Sequence, residues 1–473
     1  MMEIRNNKKG LCKTYKSFKW FHIICLTLLA VVLIQPSAVA QRNAYRQLDF
    51  RYNRTGIYVT TFALPGEAQN EIQLTIPFRI SYGMLSFKTV NEPGSSAFYA
   101  TPVLRVEIYR SPRKNLRFDE QISIVDLESI ARATWSDTVL AADYEASENK
   151  SNFSAGFMQV QLRPGYYTYV LILNRNGTDR KTSATRNIHI PSYSKGESGE
   201  IIFGDEFTGT RLNLLNMGGN VLFGENYYGL IHLPNFSLEN NYRLKVTRVN
   251  ISGDDTTQVE TIFEEDISDE QLIKGATPDI RSDNDQLYLQ LNKSSNGLTY
   301  AVVQIPNSNW PDAVYKMKVY EAESGETVAQ KTYRSLWLDK PVSLYNLDLA
   351  IEMLRFIANE KTVERIANGS AEQEREQFNT FWKKRDPTPN TAFNELKTEY
   401  YQRIDYAYRH FSSSGTPGFE TDQGRIYILY GPPEDIERFY PSEGATREVW
   451  TYPNRRFVFK ATSGYGDFVL IEK

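Results

Sequence analysis

Along most of the chain, apolar side chains recur at every second position. Ile72, Leu74, Ile76, Phe78 and Ile80 alternate with Gln73, Thr75, Pro77 and Arg79, the pattern of a half-buried β-strand. Pro77 has no N–H to give a ladder, which predicts an edge or a bulge here. Leu104, Val106 and Ile108 repeat the alternation, as do Met158, Val160 and Leu162. Pro164-Gly165 then leads into a strand over Tyr166–Leu173, Asn176-Gly177 marks a tight turn, and Ile188–Ile190 returns. Residues 115–150 have weak periodicity and read as a short helix or a long loop. Pro191–Gly199 is small and polar, a linker. Beyond it the alternation resumes in Tyr242/Leu244/Val246, Leu287/Leu289/Leu291 and Tyr315/Met317/Val319, with turn signals at Ser252-Gly253-Asp254 and Ser324-Gly325. The pattern ends near Lys340-Pro341. These stretches predict two all-β sandwich modules, residues 41–195 and 200–341. The run Val160-x-Leu162-x-Pro164-Gly165-Tyr166-Tyr167 resembles the end of an Ig-like sandwich, where a tyrosine at a corner pins the last strands.

At Leu344 the period changes from two to 3.6. Helices are predicted over Asn346–Ile357 and Ala371–Lys384, parted by Asn368-Gly369-Ser370. Asp386-Pro387-Thr388-Pro389 is a break. A helix over Thr391–Phe411 follows, with Phe393, Leu396, Tyr400, Ile404, Ala407 and Phe411 in one apolar stripe, stopped by Gly415. Strands are predicted again at Arg425–Tyr430, Arg447–Tyr452, Arg456–Ala461 and Asp467–Ile471, with turns at Pro453-Asn454 and Ser463-Gly464. Residues 345–473 are therefore expected to be an α+β domain, helices on a small antiparallel sheet.

Composition narrows the class. Lys plus Arg number 54 against 57 Asp plus Glu, a net charge of −3, which argues against a dedicated nucleic-acid binder. Hydrophobic residues at 41% and charged residues at 23% exclude wholesale disorder. The two cysteines, Cys12 and Cys25, lie in the first 40 residues, which read as a secretory signal: a basic start, an apolar run Phe21–Ile34 too short for an ordinary membrane span, and Ala38-Val39-Ala40 before Gln41. Cleavage between Ala40 and Gln41 leaves a mature chain without cysteine, hence without disulfides, thiol nucleophiles or thiolate metal sites. No other stretch reaches membrane length. The chain is expected to be exported, to the periplasm or the cell surface.

The C-terminal block carries linked motifs. Phe381-Trp382-Lys383-Lys384-Arg385-Asp386-Pro387-Thr388-Pro389 is followed by Asn394-Glu395 and Glu399-Tyr400-Tyr401, then Gly418-Phe419-Glu420-Thr421-Asp422-Gln423-Gly424-Arg425-Ile426-Tyr427, Tyr430-Gly431-Pro432-Pro433, and Glu448-Val449-Trp450. In this order they resemble the GWxTD domain of exported bacterial proteins, with Phe419 standing where the motif has Trp. The resemblance implies an aromatic anchor at Phe419 without an indole N–H. It sharpens the fold and implies no defined activity.

Candidate chemistry centres on the same block. Glu395, Glu399 and Arg403 stand four apart on one helix face, and Glu399 before Arg403 is the favourable order for an ion pair. With Arg385, Asp386, Asp422 and Arg425 they form either a polar pocket for general acid–base work or a set of ties holding Asp386–Thr391 and Thr421–Arg425 onto the helix. In the second reading Phe419, Thr421 and Asp422 make a turn that locks sheet onto helix, with Arg425 or Arg403 neutralising Asp422. His189, His232 and His410 fit no metal or triad spacing, and Gly431-Pro432-Pro433 lacks the glycine spacing and lysine of a phosphate loop. No cofactor or metal is implied. The preferred expectation is a non-enzymatic binding or scaffold protein whose partner is an envelope protein or glycan. The alternative is an envelope hydrolase, glycan-directed, using Glu395, Glu399, Arg403, Asp422 and Arg425.

Overall fold

The structure, a computed structural model, describes residues 45–49, 51, 56–66, 71–90, 97–111, 127–149, 151–175, 178–181, 185–192, 199–252, 255–283, 285–413, 416–442, 444–462 and 467–473. The expected signal with Ala40 and Gln41, the expected turns at Asn176-Gly177, Gly253-Asp254 and Ser463-Gly464, most of the expected Pro191–Gly199 linker, and Gly415 lie outside them. The described residues divide into two compact units. One is a β unit within 55–339, together with 388–393; the other joins 45–51 to 340–387 and 394–473. The chain is mostly β with antiparallel sheets, and its helices concentrate in the second unit.

The β unit begins with two facing sheets. In one, Ile72–Ser81 pairs with Ile57–Val59 and Phe62–Pro65 on one side and with Phe153–Leu162 on the other. The other is built on Gly165–Arg175, flanked by Val103–Arg110 and by Arg186–Ile190 and Thr178–Lys181, with Ser129–Ser136 beyond Val103–Arg110. Leu74, Ile76 and Phe78 meet Leu104, Val106, Leu171 and Leu173 between them. Two expectations are corrected here. Ile72–Ser81 is a central strand, not an edge. The Pro77 carbonyl accepts from Thr60 N–H (3.3 Å), so the missing Pro77 N–H points to the same side, at the break between Ile57–Val59 and Phe62–Pro65. No ladder donor is needed there. Within 115–150, Ser129–Ser136 and Val139–Ala141 are strands and Tyr144–Glu148 a short helix. Ser129–Ser136 buries none of its residues fully, which is why its alternation is faint.

The second half of the β unit is a closed six-stranded barrel packed on a five-stranded sheet. The strand Ile201–Thr208 opens with apolar residues that serve two cores. Ile201 and Phe203 pack toward Leu244, Val246, Met317 and Val319 of the sheet, while Ile202 joins Leu212, Leu230 and Leu289. Phe62 and Leu64, from the first half, belong to that second cluster, so the two halves share a core. They also share a device. The Tyr167 hydroxyl donates to the Arg163 carbonyl (2.7 Å), and the Tyr315 hydroxyl donates to the Pro311 carbonyl (2.6 Å). Each is a tyrosine bonding four residues upstream at a corner; the run ending Tyr166-Tyr167 implied such a tyrosine without saying which, and both halves contain one.

In the second unit, helices Leu347–Met353, Glu360–Ala367, Ala371–Lys383 and Glu395–Phe411 gather around Met353, Leu354, Trp382, Tyr401, Ile404 and Phe419. Each of these four has a polar N-cap whose side chain accepts an orphan amide: Asn346, Asn359, Ser370 and Asn394. Asn394 starts the long helix later than predicted. Phe393 falls outside it and packs with Phe223 and Trp337 in the β unit, and Leu396 is 45% exposed. The buried stripe instead takes in Thr398, Tyr401 and Asp405. An antiparallel sheet, Asp435–Phe439, Arg447–Tyr452, Arg455–Ala461 and Phe468–Glu472, completes the unit.

The predicted strand Arg425–Tyr430 is instead a helix, Asp422–Tyr430. Thr421 caps it, its Oγ1 accepting from Gly424 N–H at 3.0 Å, with Asp422 in the first turn where a carboxylate is favourable. Ile426 packs with Trp450 and Phe459 against the sheet, whereas Ile428 joins the helical core. A helix buried on two sides has no single apolar stripe, and Gly424, Ile426 and Ile428 at alternate positions imitate a strand. Among the described residues no helix is long and apolar enough to cross a membrane.

Candidate functional site

The site is the turn Gly418–Glu420 with the helix that follows it, set against the long helix. Closeness of backbones dictates two of its residues. A Cβ on Gly418 would lie 1.8 Å from the Ala407 carbonyl oxygen of the long helix. A Cβ on Gly424 would lie 1.8 Å from the Gly418 carbonyl oxygen. That oxygen also accepts from Thr421 Oγ1 (2.8 Å), and Gly418 N–H donates to Ser412 Oγ (2.8 Å). Phe419 is fully buried, between Tyr408 and Tyr45 with ring centroids 6.1 and 6.2 Å away. This is the predicted anchor, and Phe381 and Trp382 lie in the same core.

The charged candidates form separate contacts. Glu399 pairs with Arg403 one turn on, and Arg403 Nη1 reaches the Ile428 carbonyl (3.4 Å). Glu395 sits in the first turn of the long helix. Asp422 Oδ2 accepts from the backbone N–H of Leu470 (2.8 Å), tying the helix start to the last strand. The expected neutralisation of Asp422 by Arg425 or Arg403 does not occur: Arg425 pairs with Glu420 (3.1 Å) and Arg403 with Glu399. Glu420 bridges Arg425 and Arg355, and Arg355 reaches Glu352 (2.7 Å). These side chains are a quarter to a half exposed, so each pair stabilises by well under about 1 kcal/mol. Arg385 donates to the Phe381 carbonyl (2.8 Å) and lies over that ring at 3.7 Å. Asp386 acts on the ammonium of Lys397. Pro387 stays with the helical unit, whereas Pro389 lies in the 388–393 segment of the β unit. Tyr427 stacks on Tyr406 at 4.3 Å, and the Tyr452 hydroxyl donates to the Gly431 carbonyl (2.9 Å).

Two buried carboxylates escaped the sequence reading. Asp405, inside the long helix, accepts from the Tyr45 hydroxyl, Val342 N–H (2.6 Å) and Ser343 Oγ (3.1 Å). Burial pushes its carboxyl above the usual aspartate range, with the Tyr45 and Val342 hydrogen bonds and then Arg409 pulling the other way. Glu448 accepts from Trp450 Nε1 (2.6 Å), Gln423 Nε2 (3.1 Å) and Arg438 Nε (2.7 Å). Glu448 and Trp450 are two apart on a strand, so period two puts them on one face; that was the available signal. Asp405 had a weaker one, standing four residues after Tyr401 and one after Ile404. Among the described residues no group of three His, Cys, Asp or Glu could hold a metal ion.

A family model for the GWxTD domain matches residues 324–465, so the C-terminal region of this chain is a GWxTD domain. The match begins in the last hairpin of the β unit, upstream of Leu344. No curated protein matches the chain by sequence. The solved structures it is similar to include the C-terminal domain of AspA, an antigen I/II-family protein of Streptococcus pyogenes, at 10% identity over 59% of this chain and 99% of that one, TM-score 0.15. The C-terminal domain of the BspA antigen I/II polypeptide of Streptococcus agalactiae gives 10% identity with the same coverage, TM-score 0.14. The FN1–FN3 domains of chicken CNTN1 give 10% identity over 59% of this chain and 68% of that one, TM-score 0.14. Scores this low carry no argument about this chain.

Proposed function

We propose that this chain is an exported cell-envelope protein without catalytic activity, in which the β unit and the GWxTD domain serve binding or scaffolding. One observation carries the reading. The charges that an active site would need are engaged in holding elements together: Glu399 with Arg403, Glu420 between Arg425 and Arg355, Asp422 on the Leu470 amide. A carboxylate whose oxygen is taken by a backbone donor is poorly placed as a general base. Export is supported by the basic start, the short apolar run and Ala38-Val39-Ala40. Its partner is an envelope protein or glycan.

Cell fractionation with N-terminal sequencing tests export, and capture from native envelope tests binding. The expected result is a chain beginning at Gln41 outside the cytoplasm that retains an envelope component. A chain with Met1 intact in the cytoplasm overturns the reading.

A further inference from the structure

The five-stranded sheet of the β unit carries three lysines on its outer face. Lys245 lies on Tyr242–Ser252, and Lys316 and Lys318 lie on Val314–Glu321. Their neighbours Leu244, Val246, Met317 and Val319 are in the core, so the pleat sends the lysines to the opposite face. Lys245 and Lys318 stand directly opposite each other across the strand pair. Like charges in that position destabilise a sheet. Lys316 faces Thr247, and Gln330 faces Lys318 from the next strand.

The acidic side chains lie to one side, on Asp255–Asp266, where Asp266 and Glu264 also pair with Arg243 (2.5 and 3.9 Å). Glu264 Oε2 lies 3.7 Å from Lys245 Nζ, while its Oε1 accepts from the Tyr320 hydroxyl at 2.8 Å. The Lys318 ammonium sits 5.1 Å from the Tyr320 ring centroid. Among the described residues Lys316 and Lys318 form no ion pair, so two of the three ammonium groups have no carboxylate within 4 Å, in a chain whose net charge is −3. These lysines, with Gln258, Gln330 and Tyr320, line a concavity of ≈ 420 Å³. That is within the roughly 300–1,000 Å³ usual for small-ligand sites.

We propose that this face binds an acidic glycan, a sugar chain bearing carboxylate or sulfate groups. The lysines take the anionic groups, and the amides of Gln258 and Gln330 with the hydroxyl of Thr327, which also lines the concavity, take sugar hydroxyls. An anion between Lys245 and Lys318 offsets the repulsion that the sheet otherwise bears. Nucleic acid fits less well, because single strands need stacking rings and duplexes a wider basic field; Tyr320 is already held by Glu264 and Lys318. The proposal rests on the reading of this chain as a binding protein and names its ligand class.

The test is surface-immobilised polygalacturonate and dextran sulfate probed with the purified mature chain, with neutral dextran and a duplex DNA as controls. Binding to at least one acidic glycan, none to dextran, and weakening as salt rises from about 50 to about 200 mM are expected. A Lys316→Gln/Lys318→Gln double variant should lose at least about tenfold in affinity while melting no lower than wild type, since the repulsion is relieved. Lys316→Gln alone, opposite Thr247, is the second variant should the double one melt early. Absence of binding to both acidic glycans, unchanged affinity in the folded variants, or tighter binding to DNA overturns the proposal. Failure of the envelope reading appears separately, as a cytoplasmic chain in fractionation.

Discussion

The Tyr45 hydroxyl donates to Oδ1 of Asp405, 360 positions further along the chain. The same carboxylate takes Val342 N–H and the Ser343 hydroxyl. One buried acid thus fastens the segment around Tyr45 and the start of the helical unit to the middle of the long helix. Each buried donor left without its acceptor costs about 1–3 kcal/mol. Asp405→Ala should therefore unfold the helical unit several degrees earlier. The pH dependence follows from the raised carboxyl. Its folded-state stabilisation is complete below the ordinary aspartate value near about 4 and is lost as pH rises through the higher folded value. Asp405→Asn, which cannot titrate, should lose most relative to wild type near pH 4 and less at neutrality. Melts across that range check it; a gap that widens toward neutrality contradicts the assignment.

Phe419 and Asp422 should separate in their effects. Truncating the fully buried Phe419 to Ala costs roughly 3–5 kcal/mol. Asp422→Asn keeps an acceptor for the Leu470 amide and should cost about 0.5–1.5 kcal/mol. A catalytic Asp422 predicts a silent melt and lost function. Thermal melts scored beside any cellular phenotype distinguish these outcomes.

The two corner tyrosines test whether the halves of the β unit use one device. Tyr167→Phe and Tyr315→Phe each remove only a hydroxyl, from the bonds to Arg163 and Pro311. Each should lower the unfolding free energy of the β unit by about 0.5–1.5 kcal/mol, read as an earlier denaturation midpoint with an unchanged denaturant slope. A change in only one of them would show that the corners differ in weight.

His232 is buried, and burial holds its imidazole down to about 4. A base with a depressed folded value contributes stability above its ordinary value near 6.5, and loses it as pH falls toward about 4. Stability of the β unit should fall over that window by at most about 1.4 kcal/mol per pH unit from this group. His232→Gln should flatten the slope; an unaltered slope would show that other groups set it.

The predicted chemistry was half legible. Glu399 before Arg403 at four residues announced its pair, and Phe419 announced an anchor, because both follow from spacing and side-chain size within a short stretch. The partners of Asp422 and Asp405 did not, because Leu470, Tyr45 and Val342 lie on elements brought near only by folding.

Local periodicity was enough for the β-rich first part, for helices at Leu347–Met353, Ala371–Lys383 and Glu395–Phe411 though not Glu360–Ala367, and for the strands from Arg447 on, since alternation by two or by 3.6 reports which side of an element is buried. It failed where burial is not one-sided. The helix Asp422–Tyr430 hides Ile426 in one cluster and Ile428 in another, so its pattern counterfeits a strand. Pro77 looked like an edge because the sequence shows the missing donor but not the gap between the two short strands it faces. Lys245 and Lys318 each merely alternate with apolar residues in the sequence; only the register of two strands, more than 70 residues apart in sequence, sets them side by side. Tertiary structure decides such juxtapositions because charge and hydrogen-bond partners are chosen by distance in space, which a linear pattern does not encode.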